Sequence, residues 1–296
     1  MSQTFSLTPP GPHTSLTLWQ ALAATNEELT AFIVDELPID ADVHGKLLHA
    51  PLSTSVITIG NPALSGRGFE LSFTNGAYVV REFTPTTTID WRFVLTFMSD
   101  LSAKIGADIV AENGETYTPD SIHRFDFESD IASGIEMLTS LTSNGSVPVL
   151  RGLRRNVGLN AELLEAVNRA ASPVDQFEST FMRVQTFPAH DAQQSLMQDA
   201  QGHIIGAYML TEGVRTTLPH TPALDFHYEG IDAATFDNWM VYLFVATPEG
   251  PELLGALPHA QMLAGLPEEK HSLLDAYSLV IEPLTRAEML EMCRGR

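Results

Sequence analysis

Apolar and polar positions alternate most clearly between residues 66 and 115. Two period-two runs, Phe69–Phe73 and Ala77–Phe83, flank Asn75-Gly76. That dipeptide readily takes the positive φ angles of a type I′ turn, so the stretch predicts a β-hairpin. Thr84-Pro85-Thr86-Thr87-Thr88 follows. Proline at 85 disfavours a helical Thr84, and a threonine after it can cap a new helix. The period then changes to three and four. Trp91, Val94, Leu95, Met98, Leu101 and Ile105 form one stripe of a helix over Ile89–Ile105, positioned to pack on the hairpin.

The same patterns extend in both directions. Residues 1–14 read as extended, and Leu16–Leu29 as a helix capped by Ser15, with Trp19 on its buried face. Residues 33–48 carry Asp35, Glu36, Asp40 and Asp42 and read as a solvated face or loop. Ser55–Ile59 and Ala107–Ala111 read as strands. Asp126–Leu141 reads as a helix with Ile131, Ile135, Leu138 and Leu141 inward, ending at the breaker Ser143–Ser146. Asn160 caps a helix running to Ala171. Strands are predicted over Phe177–Phe187, Ile204–Leu210, Val214–Leu218, Asn238–Ala246 and Leu253–Leu257, with Glu212-Gly213 as a hairpin turn between the second and third. Ser272–Glu282 ends in a strand-like run. Thr285 and Glu288 form a capping box for a last helix. The pattern predicts an α+β protein of two lobes: residues 1–145, a hairpin with packed helices; 146–175, a helical connector; and 176–296, mainly antiparallel sheet with a C-terminal helix. One sheet running through both halves is the competing arrangement.

Charge narrows the function. Across 296 residues, sixteen Lys and Arg oppose thirty-seven Asp and Glu, a net charge of −21. Such an excess repels polyphosphate and anionic lipid, which argues against a nucleic-acid or membrane-surface protein and suits a basic protein partner. Arg151, Arg154 and Arg155 interrupt it. They read as neutralising an acidic face of the same protein, with an anion site as the alternative. One cysteine, Cys293, excludes an internal disulfide. No segment resembles a signal peptide or reaches the ~20 apolar residues of a membrane helix, so a cytoplasmic location is expected.

Arg67-Gly68-Phe69-Glu70, Val80-Arg81, Thr84-Pro85, Asp90-Trp91 and residues 112–118, with Leu257-Pro258-His259, Asp275-Ala276 and Pro283-Leu284-Thr285, resemble an uncharacterised bacterial family of about this length, described only as a domain of unknown function. The resemblance implies an intracellular bacterial protein and carries no functional residues over.

Phosphate loops, dinucleotide fingerprints, nucleophile elbows and paired-cysteine or zinc-protease motifs are all absent from the sequence, and no cofactor is expected. Two constellations stand out. His220, Asp225, His227 and Glu229 lie in LPHTPALDFHYEG. An extended chain would put Asp225, His227 and Glu229 on one face, as weak candidates for a metal or acid–base group. Residues two apart on one strand are about 6.6–7 Å apart, so the three cannot converge on one metal ion unaided. Arg67, Glu70, Arg81, Glu82, Asp90 and Trp91 surround the hairpin. An Arg81–Asp90 pair would clasp helix to hairpin, and a carboxylate or peptide pocket with Trp91 as platform is the alternative. The overall expectation is a non-catalytic, immunity- or adaptor-like binding protein. The competing one is a hydrolase-like enzyme at the His220–Glu229 region.

Overall fold

A computed structural model describes residues 2–11, 13–32, 48–53, 56–198, 204–224 and 236–294. The chain forms two compact units, one of residues 1–154 and 160–185, the other of 155–159 and 186–296. The stretch read as a connector therefore divides between them.

In the first unit, Asn75 and Gly76 both take positive φ (54° and 78°) and join β4 (Phe69–Thr74) to β5 (Ala77–Phe83). Five strands join this hairpin: β1 (Ser2–Leu7), β2 (Thr30–Phe32), β3 (Ile57–Gly60), β6 (Ile109–Ala111) and β7 (Thr116–Tyr117). They form an antiparallel sheet of order β2-β3-β4-β5-β1-β6-β7. Residues 2–7, expected only to be extended, are thus an interior strand, because Phe5 and Leu7 enter the core beside Val80 and Tyr78.

Helix α1 (Leu18–Leu22) is shorter than the helix expected over Leu16–Leu29, and its cap is Thr17, not Ser15. A Thr17–Gln20 capping box starts the helix, while Ser15 Oγ donates to the Leu52 carbonyl. Trp19 is 54% exposed instead of inward. Helix α2 (Thr88–Ile105) buries Trp91, Val94, Leu95, Met98 and Leu101 as the stripe predicted, and Thr87 caps it. Helix α3 (Phe127–Ser143) buries Ile131, Ile135 and Leu138. Its Gly134 lies so close to Pro85, in the cis Thr84-Pro85 unit, that a Cβ there would sit 2.7 Å from the proline nitrogen.

After the short strand β8 (Val149–Leu150) come α4 (Ala161–Arg169), capped by Asn160, and α5 (Pro173–Gln185). The latter overturns the strand expected over Phe177–Phe187. Phe177, Phe181 and Val184 are buried at spacings of four and three, a helical face, and Pro173 suits a first helical position.

The second unit holds β9 (Val157–Gly158) and two four-stranded sheets. One has the order β10 (His190–Asp191), β13 (Thr216–Pro219), β17 (Ser278–Ile281), β16 (His271–Leu273). The other has the order β11 (Gln193–Gln198), β12 (Ile204–Thr211), β14 (Phe236–Thr247), β15 (Gly250–Pro258). Most pairs are antiparallel, and β10–β13 and β12–β14 are parallel. Glu212-Gly213 is therefore no hairpin turn. β12 and β13 belong to different sheets, and the Gly213 N–H is held by the Leu284 carbonyl. Helices α6 (His259–Gly265) and α7 (Arg286–Arg294) complete the core with Met262, Met289 and Met292, and the Thr285–Glu288 box caps α7.

Candidate functional site

The hairpin-helix junction gathers a buried polar cluster in the first unit. Asp90, three residues past the α2 cap, is fully buried. Its Oδ2 accepts the N–H groups of Gly66 (3.1 Å) and Arg67 (2.9 Å), and its Oδ1 accepts that of Gly68 (3.2 Å). The hydroxyls of Thr86 and Thr87 also donate to Oδ2, at 2.9 and 2.8 Å. Three successive backbone N–H groups thus converge on a carboxylate that also complements the positive end of the helix dipole. Gly68 is required here: its φ is +65°, and a Cβ would stand 2.3 Å from the Ile59 carbonyl oxygen.

The expected Arg81–Asp90 clasp does not form. Arg81 lies on the opposite face of β5, where Nη1 pairs with Glu70 Oε2 at 2.8 Å and Nε donates to Ser2 Oγ at 2.9 Å. Helix and hairpin are clasped instead through Asp90 and the 66–68 backbone. The residue filling the interior is Arg67. Its Nε donates to the Arg151 carbonyl (2.8 Å), Nη1 to the Pro85 carbonyl (2.7 Å), and its guanidinium lies 4.6 Å from the Phe83 ring centre. Burial lowers its pKa to about 10, against the opposing pull of Glu82 and Asp90, so it stays cationic at neutral pH. Glu82, directly before Phe83, is also fully buried. Sequence reasoning singled out these residues by type and spacing, but missed which carboxylate meets which donor. Backbone N–H groups leave no mark in the pattern.

Trp91 is no platform. It is 0% exposed, stacks on Phe125 at 5.0 Å and meets Phe5 edge-on at 6.3 Å. Asp130 on α3 extends the network by accepting from Thr84 Oγ1 (3.0 and 3.1 Å) and Gln3 Nε2 (2.9 Å). Burial raises its pKa.

In the second unit, Asp225, His227 and Glu229 lie outside the described residues, as does His203. His220 is described, and both ring nitrogens have partners: Nε2 faces the Ala276 carbonyl at 2.8 Å and Nδ1 the Thr221 hydroxyl at 3.0 Å. His259 is buried with Nε2 2.9 Å from the Pro219 carbonyl, and burial lowers its pKa. Asp275 repeats the Asp90 device, accepting the N–H groups of Gly158 (2.9 Å), Tyr277 (2.9 Å) and Ser278 (2.6 Å). Among the described residues no group of three or more His, Cys, Asp or Glu is placed to hold a metal ion. A groove of about 430 Å³ opens beside His190, Asp191, Met209 and Phe244. Its carboxylate is already held by Arg155 Nε and Thr217 Oγ1, each at 2.5 Å.

Two of the three clustered arginines are likewise engaged. Arg154 donates to the Pro62 carbonyl, and Arg155 to the carbonyls of Phe187 (2.6 Å) and Ala189. No helix among the described residues is long and apolar enough to cross a membrane.

No curated protein and no solved structure matches the chain. A family model described as a domain of unknown function, DUF4299, matches residues 2–292. Several residues on which the resemblance rests (Arg67, Gly68, Asp90, Trp91, Asp275) hold loops and core together in this fold, and the chain belongs to that family.

Proposed function

We propose that the protein is a non-catalytic, cytoplasmic binding protein, immunity- or adaptor-like, that engages a basic protein partner through an acidic surface. The observation that carries this reading is where its few cations go. Arg67 is buried; Arg154 and Arg155 reach backbone carbonyls. Arg81, Arg169, Arg215, Lys270 and Arg286 each sit against a carboxylate of their own unit. With eight of the sixteen cations so engaged, and thirty-seven acids in the chain, the surface keeps a large uncompensated negative charge, which steers a basic protein to it. Trp19 supplies an exposed ring of the kind that anchors interfaces, held on a turn by its capping box. The saturated carboxylates Asp90 and Asp275 support the non-catalytic half of the reading, because their lone pairs are occupied by backbone donors.

The test is capture from the native host on the immobilised full chain, then calorimetry with the captured protein after purification. A basic partner whose affinity falls steeply with ionic strength is expected. A partner without a basic face, or an affinity indifferent to salt, overturns the reading.

A further inference from the structure

Glu82 is the polar group that neither the Asp90 clasp nor the proposed interface uses. It is 0% exposed. Its Oε1 accepts the Phe83 N–H at 3.1 Å, and its Oε2 has no hydrogen-bond partner among the described residues. The donors around it also serve other acceptors. Thr86 and Thr87 give their hydroxyl hydrogens to Asp90, as do the N–H groups of residues 66–68. Arg67, the one buried cation here, directs Nε and Nη1 to the Arg151 and Pro85 carbonyls.

Two carboxylates therefore share one cation, on unequal terms. Asp90 has three backbone N–H groups and two hydroxyls; Glu82 has a single N–H. An ionised Glu82 would be a desolvated charge with one donor, close to a second anion. A protonated Glu82 instead needs one acceptor. Arg67 and the Thr86 hydroxyl favour the ionised form, but the hydroxyl is shared with Asp90 and both are outweighed by burial and by the Asp90 charge.

The other charged groups of the surrounding elements do not change this balance. Asp130 on α3 is tied to Thr84 and to Gln3, which lies opposite Glu82 in β1. Arg81 and Glu70 pair on the far face of the hairpin. Arg151 acts on Arg67, adding positive charge behind it. Burial first, and Asp90 second, hold the Glu82 carboxyl well above its ordinary value.

We propose that Glu82 is a buried proton-binding site, neutral at physiological pH, whose ionisation loosens the clasp between residues 66–68 and α2. The sign follows from linkage. The folded-state pKa lies above the unfolded value, so the native state keeps a proton that the unfolded chain releases. The stabilisation is complete below the ordinary glutamate value of 4.5 and is lost as pH rises from there toward the folded pKa. In that window the unfolding equilibrium constant increases by up to about tenfold per pH unit.

The experiment compares the full chain with Glu82→Gln, a neutral side chain of the same shape. Urea titrations are read by hydrogen exchange in the β4, β5 and α2 peptides, both proteins at the same pH so that intrinsic exchange chemistry cancels. As pH rises above the ordinary glutamate value toward neutrality, the wild type should lose ground to Glu82→Gln by up to about tenfold per unit. A difference independent of pH overturns the proposal. Should Glu82→Gln not fold, infrared spectroscopy of the native wild type decides. A carboxylic-acid carbonyl band at about pH 7, lost on unfolding and kept in Asp130→Asn, supports a neutral Glu82, and its absence overturns it.

Discussion

The Trp91 ring packs face to face with Phe125 and edge-on to Phe5, while its indole N–H is buried with no acceptor among the described residues. These facts act in opposite directions. Deleting the ring removes a large apolar surface from a fully enclosed site, so Trp91→Ala should cost about 3–5 kcal/mol. Trp91→Phe keeps much of the stacking and removes the unpartnered donor, whose burial costs about 1–3 kcal/mol. We expect it to lose clearly less stability than the alanine variant, as measured by denaturant midpoints of the two proteins. Equal losses would mean that the N–H is satisfied after all, and an unchanged midpoint in Trp91→Ala would return the ring to the surface. The same residue shows the limit of reading by type. The sequence places this tryptophan in the apolar stripe of α2 but leaves a recognition platform beside the arginines as the alternative, and its packing against Phe5, Phe125 and Phe127 makes it core.

At the scale of elements, the junction of β3, β4 and α2 depends on one backbone shape. Gly68 and Gly76 both have positive φ, but their surroundings differ. A Cβ at Gly76 meets nothing within 4 Å, whereas one at Gly68 would stand 2.3 Å from the Ile59 carbonyl. Gly76→Ala should therefore cost only the left-handed backbone penalty, about 1–2 kcal/mol. Gly68→Ala should cost clearly more, because Ile59 must move and the three N–H groups on Asp90 move with it. Urea midpoints of the two variants check this; equal losses would show that the 66–68 loop yields without strain. The hairpin itself was legible because Asn-Gly between alternating runs is a local signal. Helix α5 was misread because its aromatic and β-branched residues favour a strand, while burial at Phe177, Phe181 and Val184 follows the helical period.

For the whole molecule, charge makes the most general statement. A chain at −21 whose Arg154 and Arg155 reach backbone carbonyls presents little to a polyanion. We expect no binding to mixed-sequence DNA or RNA at physiological salt, where the Debye length is about 8 Å. A gel shift at submicromolar protein that disappears on joint substitution of Arg151, Arg154 and Arg155 would overturn this. Because the chain forms two units, denaturation is best followed in each separately, since one midpoint need not describe both.

Local patterns alone determined the hairpin at Asn75-Gly76, a threonine cap after Pro85, the buried stripe of α2 and the capping box at Thr285, because each is set by residues within a few positions of one another. The acidic balance, too, is a property of composition. Tertiary structure decided the rest. β1 became an interior strand only by meeting β5 and β6, far along the chain. Asp90 found the 66–68 backbone instead of Arg81, because Arg81 leaves the other face of its strand and an unpaired backbone N–H is a stronger demand in a buried site than an exposed cation. Glu82 and Arg81 are neighbours in sequence, yet one points into a dry interior and the other toward solvent and Glu70. The period of two already sends them to opposite faces, but how dry each face is was decided by the packing, and that sets the chemistry of the site.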